Sequence, residues 1–84
     1  MMIEKAEKIG KRWQKNGMDR IYLNMDVIEA ACEKYNDGIV PMNRYQKGNF
    51  KLWIDVDTEN IEAKNLGTYE EDIKNWVKKY IEEA

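Results

Sequence analysis

The chain lacks histidine and serine altogether, and it contains one cysteine, Cys32. Without histidine it has neither the side chain that most readily exchanges protons near neutral pH nor the commonest transition-metal ligand. A structural zinc site cannot be built from the usual ligands of one such chain. Serine nucleophiles are excluded, and Cys32 has no histidine to activate it. We therefore expect a protein that is not an enzyme and that holds no metal and no cofactor.

A lone cysteine also excludes an internal disulfide, so the fold does not depend on an oxidising compartment. The sequence has no apolar run long enough for a signal peptide or a membrane span, which predicts a cytoplasmic protein without a membrane partner. The formal net charge of −2 counts against non-specific binding to nucleic acid, because such binding requires a basic surface. The length of 84 residues predicts a single domain, residues 1–84.

The clearest pattern that is present is a strand from Phe50 to Asp57. Apolar residues at every second position alternate there with Lys51, Trp53, Asp55 and Asp57. An alternation of period two is typical of a half-buried strand. One side of this strand should face a core. The residues predicted on that side are Phe50, Leu52, Ile54 and Val56.

The first quarter of the chain is predicted to contain a helix over Met2–Lys8 and then a hairpin. Asn16-Gly17 is a strong signal for a hairpin turn, although a single helix ending at Gly17 is the alternative. A tight turn would place Trp13 opposite Arg20, and a longer loop over residues 15–19 would place it opposite Ile21. We prefer the longer loop, because it gathers the apolar residues on one face.

Two further helices and a second hairpin complete the expected fold. Asn24 should cap a helix over Met25–Asn36, whose apolar stripe contains Cys32, and residues 43–48 are expected to form an exposed loop. A turn over residues 57–60, with Asn60 in the left-handed conformation, should lead to a strand over Ile61–Asn65. A capping box of Thr68 and Glu71 should begin the last helix, Thr68–Ala84. The prediction is an α+β fold with a mainly antiparallel sheet of three to four strands, packed against two to three helices.

Carboxylates at the end of the predicted strand have the spacing Asp55-x-Asp57-x-Glu59, which resembles the start of a calcium loop. The EF-hand pattern also requires glycine at its sixth position and glutamate at its twelfth. Those positions hold Asn60 and Leu66, so the pattern fails. The exposed end of a hairpin is also a poor place for paired catalytic carboxylates, which work in a partly desolvated cleft. We interpret these residues as a solvated hairpin end or as an acidic patch.

Aromatic and basic residues are interleaved in two parts of the chain. Such mixtures suit protein interfaces, where Trp, Tyr and Arg carry most of the binding energy, and they also suit single-stranded nucleic acid. The residues predicted to bind a protein partner are Trp53, Lys51, Arg44, Tyr45, Asp55, Asp57 and Glu59. The residues predicted for the nucleic-acid alternative are Arg12, Lys15, Arg20 and Tyr22. The acidic residues would suit a basic, nucleic-acid-binding protein as the partner, and an exposed sheet edge would suit a homodimer.

Residues 10–24, which read G-K-R-W-Q-K-N-G-M-D-R-I-Y-L-N, resemble a segment of small proteins from phages and mobile elements. The shared outline is G-K-x-W-x-K, a short loop, and then R-I-Y-x-N. Many small acidic phage proteins inhibit host machinery, and anti-CRISPR proteins are among them. Small size, acidic charge and this resemblance together suggest an inhibitor that occludes a surface of its partner, and the resemblance favours the hairpin over the long helix.

Overall fold

The computed structural model describes residues 2–84, which form a four-stranded antiparallel sheet and four α-helices. This architecture confirms the expected α+β class. The strands lie in the order β1-β2-β3-β4, so both hairpins are formed by consecutive strands. The elements in chain order are α1 (Met2–Glu7), β1 (Lys11–Lys15), β2 (Met18–Tyr22), α2 (Met25–Tyr35), α3 (Arg44–Asn49), β3 (Lys51–Asp55), β4 (Ile61–Lys64) and α4 (Glu70–Glu82).

The hydrophobic core lies between one face of the sheet and the helices. Leu52 and Ile54 of β3 are buried there, as the alternation predicted, while Phe50 and Val56 are only partly buried. The cover expected from the last helix is confirmed, with three of its side chains fully buried and Trp76 and Tyr80 partly buried. The fully buried residues of α4 are Ile73, Val77 and Ile81. Within residues 2–84, no helix is both long and apolar enough to cross a lipid bilayer.

The first hairpin exists, but its turn is the tight one and the longer loop that we preferred is wrong. Lys15 pairs with Met18, so Trp13 lies opposite Arg20. Asn16 and Gly17 have φ values of 51° and 80°, the two positive values that a two-residue type I′ turn requires. The turn geometry therefore fixes the register, and the apolar matching on which we relied does not occur.

The second hairpin is shorter than predicted and its turn is placed differently. β3 ends at Asp55, because Asp55 already closes the turn with its carbonyl and its carboxylate. The carbonyl accepts from the backbone N–H of Glu59 at 2.7 Å, and Oδ1 accepts from those of Asp57 at 2.9 Å and Thr58 at 3.2 Å. The left-handed residue is Glu59, with a φ of 59°, and the prediction of Asn60 is wrong.

Two predictions about helix ends are also wrong. Residues 43–48 are not a loop, because Asn43 and Gln46 form a capping box that begins α3, with both hydrogen bonds at 2.8 Å. The expected box of Thr68 and Glu71 does not form. Gly67 has a φ of 82° and begins a short 3₁₀ turn, Gly67–Tyr69, that runs directly into α4. Asn24 does precede α2, but its side chain accepts no capping hydrogen bond.

Candidate functional site

The sheet has a second face, which we call the open face, on the side away from the buried aliphatic residues. Side chains on directly opposed residues of an antiparallel pair share a face, so the strand register identifies its members. Trp13 pairs with Arg20, and Tyr22 pairs with Trp53. The open face contains Lys11, Trp13, Lys15, Met18, Arg20, Tyr22, Lys51, Trp53, Asp55, Glu62 and Lys64.

Four of these residues pack together across three strands, and we call them the aromatic cluster: Trp13, Arg20, Tyr22 and Trp53. The rings of Trp13 and Tyr22 meet edge to face, with centroids 6.3 Å apart and planes at 81°. Tyr22 and Trp53 have centroids 5.9 Å apart and planes tilted by 43°. The Arg20 guanidinium lies 4.5 Å from the Trp53 ring centroid, and its Nη1 donates to the Tyr22 hydroxyl at 2.9 Å. These contacts hold the four large side chains against one another.

Trp53, which the sequence predicts to bind a protein partner without showing whether its ring is exposed, does not project into solvent. Only 7% of its surface is exposed. The guanidinium and the ring that lie against it belong to Arg20 and Tyr22 of the neighbouring strand. The large apolar side chains that this face presents to solvent are Trp13, 36% exposed, and Met18, 43% exposed.

The open face carries positive charge although the chain as a whole is acidic. Five of its residues are basic and two are acidic, which gives the face a formal charge of +3 in a chain of net charge −2. The rest of the chain therefore carries −5, so the open face is opposite in sign to the chain outside it. The basic members are Lys11, Lys15, Arg20, Lys51 and Lys64.

The structure separates Arg12 from the other residues predicted to bind nucleic acid. Arg12 pairs with Ile21, so it lies on the side of the sheet that faces the helices. Its guanidinium donates to both carboxylate oxygens of Asp19, at 3.0 and 2.6 Å, and to Glu7 at 3.2 Å. The hydrogen bond from Arg12 lowers the pKa of Asp19, and the one to Asp19 raises the pKa of Arg12. Arg12 is thus an ion-pair residue of the first hairpin.

Lys15, Arg20 and Tyr22 do lie together on the open face, and Lys51, Trp53 and Asp55 share that face with them. The other residues predicted to contact a protein lie elsewhere.

Asp57 and Glu59 are exposed at the tip of the second hairpin, beyond the end of β3. Arg44 and Tyr45 are on α3, outside the sheet, where Tyr45 is 66% exposed. The Asp55 carboxylate accepts hydrogen bonds from the turn, so its first role is structural.

A second polar cluster connects the ends of α2 and α4. The Tyr35 hydroxyl donates to Glu83, and the Lys34 ammonium lies 3.0 Å from the same carboxylate. The hydrogen bond from Tyr35 is the main reason that the pKa of Glu83 is lowered, and the bond to Glu83 raises the pKa of Tyr35. The Lys79 ammonium lies 5.7 Å from the Tyr35 ring centroid. This cluster joins the ends of two helices.

Cys32 is fully buried in α2, and burial raises the pKa of its thiol. A thiol in that environment is a poor nucleophile, since the thiolate is the reactive form. Across the described residues, no group of three or more carboxylate, thiol or imidazole side chains is placed to hold a metal ion. The arrangement of the open face suits binding by contact, because it offers apolar area and fixed positive charge.

No family model, curated protein or solved structure matches this chain. The site is therefore defined by its geometry alone.

The residues predicted from sequence to bind a partner leave out five members of the open face, Lys11, Trp13, Met18, Glu62 and Lys64. The signal that could have located Trp13 was the Asn16-Gly17 pair, because a two-residue turn places Trp13 opposite Arg20.

Proposed function

We propose that this protein is a non-enzymatic protein-binding module whose contact surface is the open face of the sheet. The observation that carries the proposal is the aromatic cluster, in which Trp13, Arg20, Tyr22 and Trp53 hold one another in place. Trp, Tyr and Arg are the residue types that dominate binding energy at protein interfaces. A preorganised cluster also loses little side-chain entropy on binding, so more of its contact energy contributes to affinity.

The charge of the open face favours an acidic partner surface. Lys11 and Lys15 flank Trp13 along β1, and both are exposed. Complementary potentials raise the association rate and reject partners of the same sign. A basic partner, which the acidic residues of the sequence suggested, would have to approach through the tip of the second hairpin or the helical side instead.

Single-stranded nucleic acid is the second candidate, and one observation favours it. Lysines flank an exposed tryptophan, the combination that contacts phosphates while a base stacks on the ring. The geometry of the cluster favours it less than the protein partner, because Arg20 lies over the Trp53 ring and Tyr22 meets Trp13 at 81°. Trp13 is then the one ring of the cluster with substantial exposure for stacking.

The resemblance of residues 10–24 to small proteins of phages and mobile elements suggests what the binding is for. These residues form the β1–β2 hairpin and so supply most of the aromatic cluster. We propose that the module acts in the cytoplasm as an inhibitor that occludes a partner surface, in the manner of anti-CRISPR proteins. Occlusion requires a rigid surface and no catalytic group, which is what the open face provides.

Affinity capture from a bacterial host lysate tests the proposal with three baits: wild type, Trp13→Ala/Lys15→Glu, and Lys78→Glu. The double variant changes exposed residues of the open face, and Lys78 is an exposed residue of α4 on the other side. We expect one reproducible acidic partner with wild type and Lys78→Glu, and its loss with the double variant. Retention of the partner by the double variant would overturn the assignment of the surface.

The nucleic-acid candidate is tested in parallel with labelled single-stranded DNA and RNA of mixed sequence. That candidate predicts an affinity that falls steeply as salt is added and that is lost in Trp13→Ala/Lys15→Glu. Absence of binding at low salt would eliminate it. Binding of the oligonucleotides together with failure to capture any protein would make it the leading function.

A further inference from the structure

The outer edge of β4 has free backbone groups. Asp55 donates its backbone N–H to the carbonyl of Asn60 at 2.9 Å, which makes these two residues a hydrogen-bonded pair. Bonded and non-bonded pairs alternate along an antiparallel ladder, so Glu62 and Lys64 direct their backbone groups toward β3. Ile61 and Ala63 then direct their N–H and C=O groups away from the sheet. Such an edge is a template for another strand.

The charges along this edge are not balanced within one chain. Lys64 lies directly opposite Lys51, and both side chains are exposed. Like charges at opposed positions of a sheet are destabilising. The ion pairs found among residues 2–84 include neither of these lysines, nor the exposed Glu62 on the same face. An anion beside Lys64 would relieve this repulsion.

The order Glu62-Ala63-Lys64 is complementary to itself. When two such segments run antiparallel with Ala63 opposite Ala63, Glu62 of each copy faces Lys64 of the other. In the same register the Ala63 residues of the two copies form a hydrogen-bonded pair, because the backbone N–H and C=O of Ala63 face away from the sheet. One arrangement around a two-fold axis therefore satisfies three conditions. The outward backbone groups are hydrogen-bonded, Glu62 and Lys64 lie on the same face of the sheet, and their opposite charges meet. We propose that two copies of this chain pair through β4 in this register and form a continuous eight-stranded sheet.

The opposite edge of the sheet disfavours a second copy. β1 carries Lys11, Arg12 and Lys15 and no acidic residue. No antiparallel pairing of β1 with itself brings opposite charges together: a register centred on Arg12 or on Trp13 sets cations directly opposite each other, and one centred on Gln14 sets Trp13 opposite Lys15. Lysines on edge strands are a known protection against such pairing. Pairing β1 with β4 of another copy would be head to tail, which generates rings or open filaments and not a two-fold dimer. Of the two edges, only β4 gives a two-fold pairing that is complementary in charge.

The dimer stands independently of the proposed function, but it would strengthen it. A two-fold axis perpendicular to the sheet keeps both open faces on the same side. Each partner molecule or assembly would then meet two aromatic clusters, and simultaneous engagement of both raises the apparent affinity. Because β4 has only four residues, the dimer is expected to be weak and to depend on protein concentration.

Sedimentation equilibrium over a wide concentration range tests the dimer in the full chain. We expect wild type to show a monomer–dimer equilibrium, and Glu62→Lys or Lys64→Glu to weaken it about tenfold, because two favourable pairs become two repulsive ones. The double variant Glu62→Lys/Lys64→Glu should restore dimerisation. A mixture of the two single variants should form a heterodimer, since all its facing charges are again opposite.

Two further measurements keep the result interpretable. Lys78→Glu on α4 changes the net charge as Lys64→Glu does and should leave the equilibrium unchanged. Ala63→Pro removes an outward N–H, a substitution that sheet edges tolerate, and should abolish dimerisation while circular dichroism shows the fold intact. A monomer at every concentration, or a dimer that the single charge reversals do not weaken, would overturn the proposal.

Discussion

The two faces of the sheet are built from alternate residues of the same strands, and their large side chains are shielded from water in different ways. Ile21, Leu52 and Ile54 on the covered face are buried by helices, and each is at most 1% exposed. Tyr22 and Trp53 on the open face are shielded by each other and by Arg20. The covered face uses aliphatic side chains against other elements. The open face uses aromatic rings and a guanidinium within the sheet itself.

The difference teaches that stability and binding are carried by separate surfaces in this molecule. The covered face excludes water completely at its centre, so its side chains contribute most of the hydrophobic free energy of folding. The open face remains in water, and its cations lie beside apolar rings. Changes to the covered face should therefore destabilise the fold strongly, and changes to the open face should affect binding more than stability.

The largest expected effect comes from the covered face. Ile54→Ala should lower the free energy of unfolding by about 3 kcal/mol, because the lost methylene and methyl groups leave a cavity that the neighbours fill only in part. Urea unfolding followed by circular dichroism measures it. Trp13→Ala on the open face is the control and should cost less than about 1 kcal/mol, since Trp13 is 36% exposed. Equal losses in the two variants would contradict the separation of roles.

A smaller loss is expected for Arg20→Ala, which removes the cover of Trp53. The variant loses the contact at 4.5 Å with the ring and the hydrogen bond to Tyr22, together about 1–2 kcal/mol. Tryptophan emission should shift to longer wavelength as water reaches Trp53. Lys15→Ala, also on the open face, should change neither quantity measurably. An unchanged emission spectrum in Arg20→Ala would show that Arg20 does not shield the ring.

The first turn gives the next effect, because it sets the register that brings Trp13 to the open face. Gly17→Ala should lower the free energy of unfolding by about 1 kcal/mol, since Gly17 has a φ of 80° that a Cβ disfavours. Gly48→Ala is the matched control: a Cβ there meets open space within α3, so about 0.5–1 kcal/mol of stabilisation is expected. Destabilisation of similar size in both variants would argue against the tight turn.

The covered face was predictable from sequence, and the open face was predictable only in part. Leu52 and Ile54 follow a period of two, and the stripe of α4 follows a helical period, so local pattern identified both. Trp53 could not be assigned, because its cover is formed by residues of β2 about thirty positions away and depends on register. The preferred register was wrong because apolar matching was given more weight than the Asn16-Gly17 turn. α3 was missed because its stability comes from a capping box rather than from an apolar stripe.

The smallest effect is a dependence on acid that belongs to the first hairpin. Arg12 lowers the pKa of Asp19, so the unfolded chain binds a proton more readily at this carboxylate than the folded chain does. The stabilisation is complete above the pKa of the unfolded chain, about 4, and is lost as the pH falls through the lower folded value. Glu83, whose pKa is also lowered, adds a dependence of the same sign.

Unfolding measured at a series of pH values should therefore show stability falling below about pH 4, with a shallower fall in Asp19→Asn. Arg12→Ala should remove the same part of the dependence, because without the guanidinium the carboxylate loses the hydrogen bonds that lower its pKa. The double variant should then behave as either single variant does in this pH range. The Arg12 side chain of this ion pair is 41% exposed, so added salt should reduce the difference between wild type and Asp19→Asn. A fall of equal steepness in all the variants would assign the acid sensitivity to other carboxylates and leave the Arg12–Asp19 pair without a measurable role.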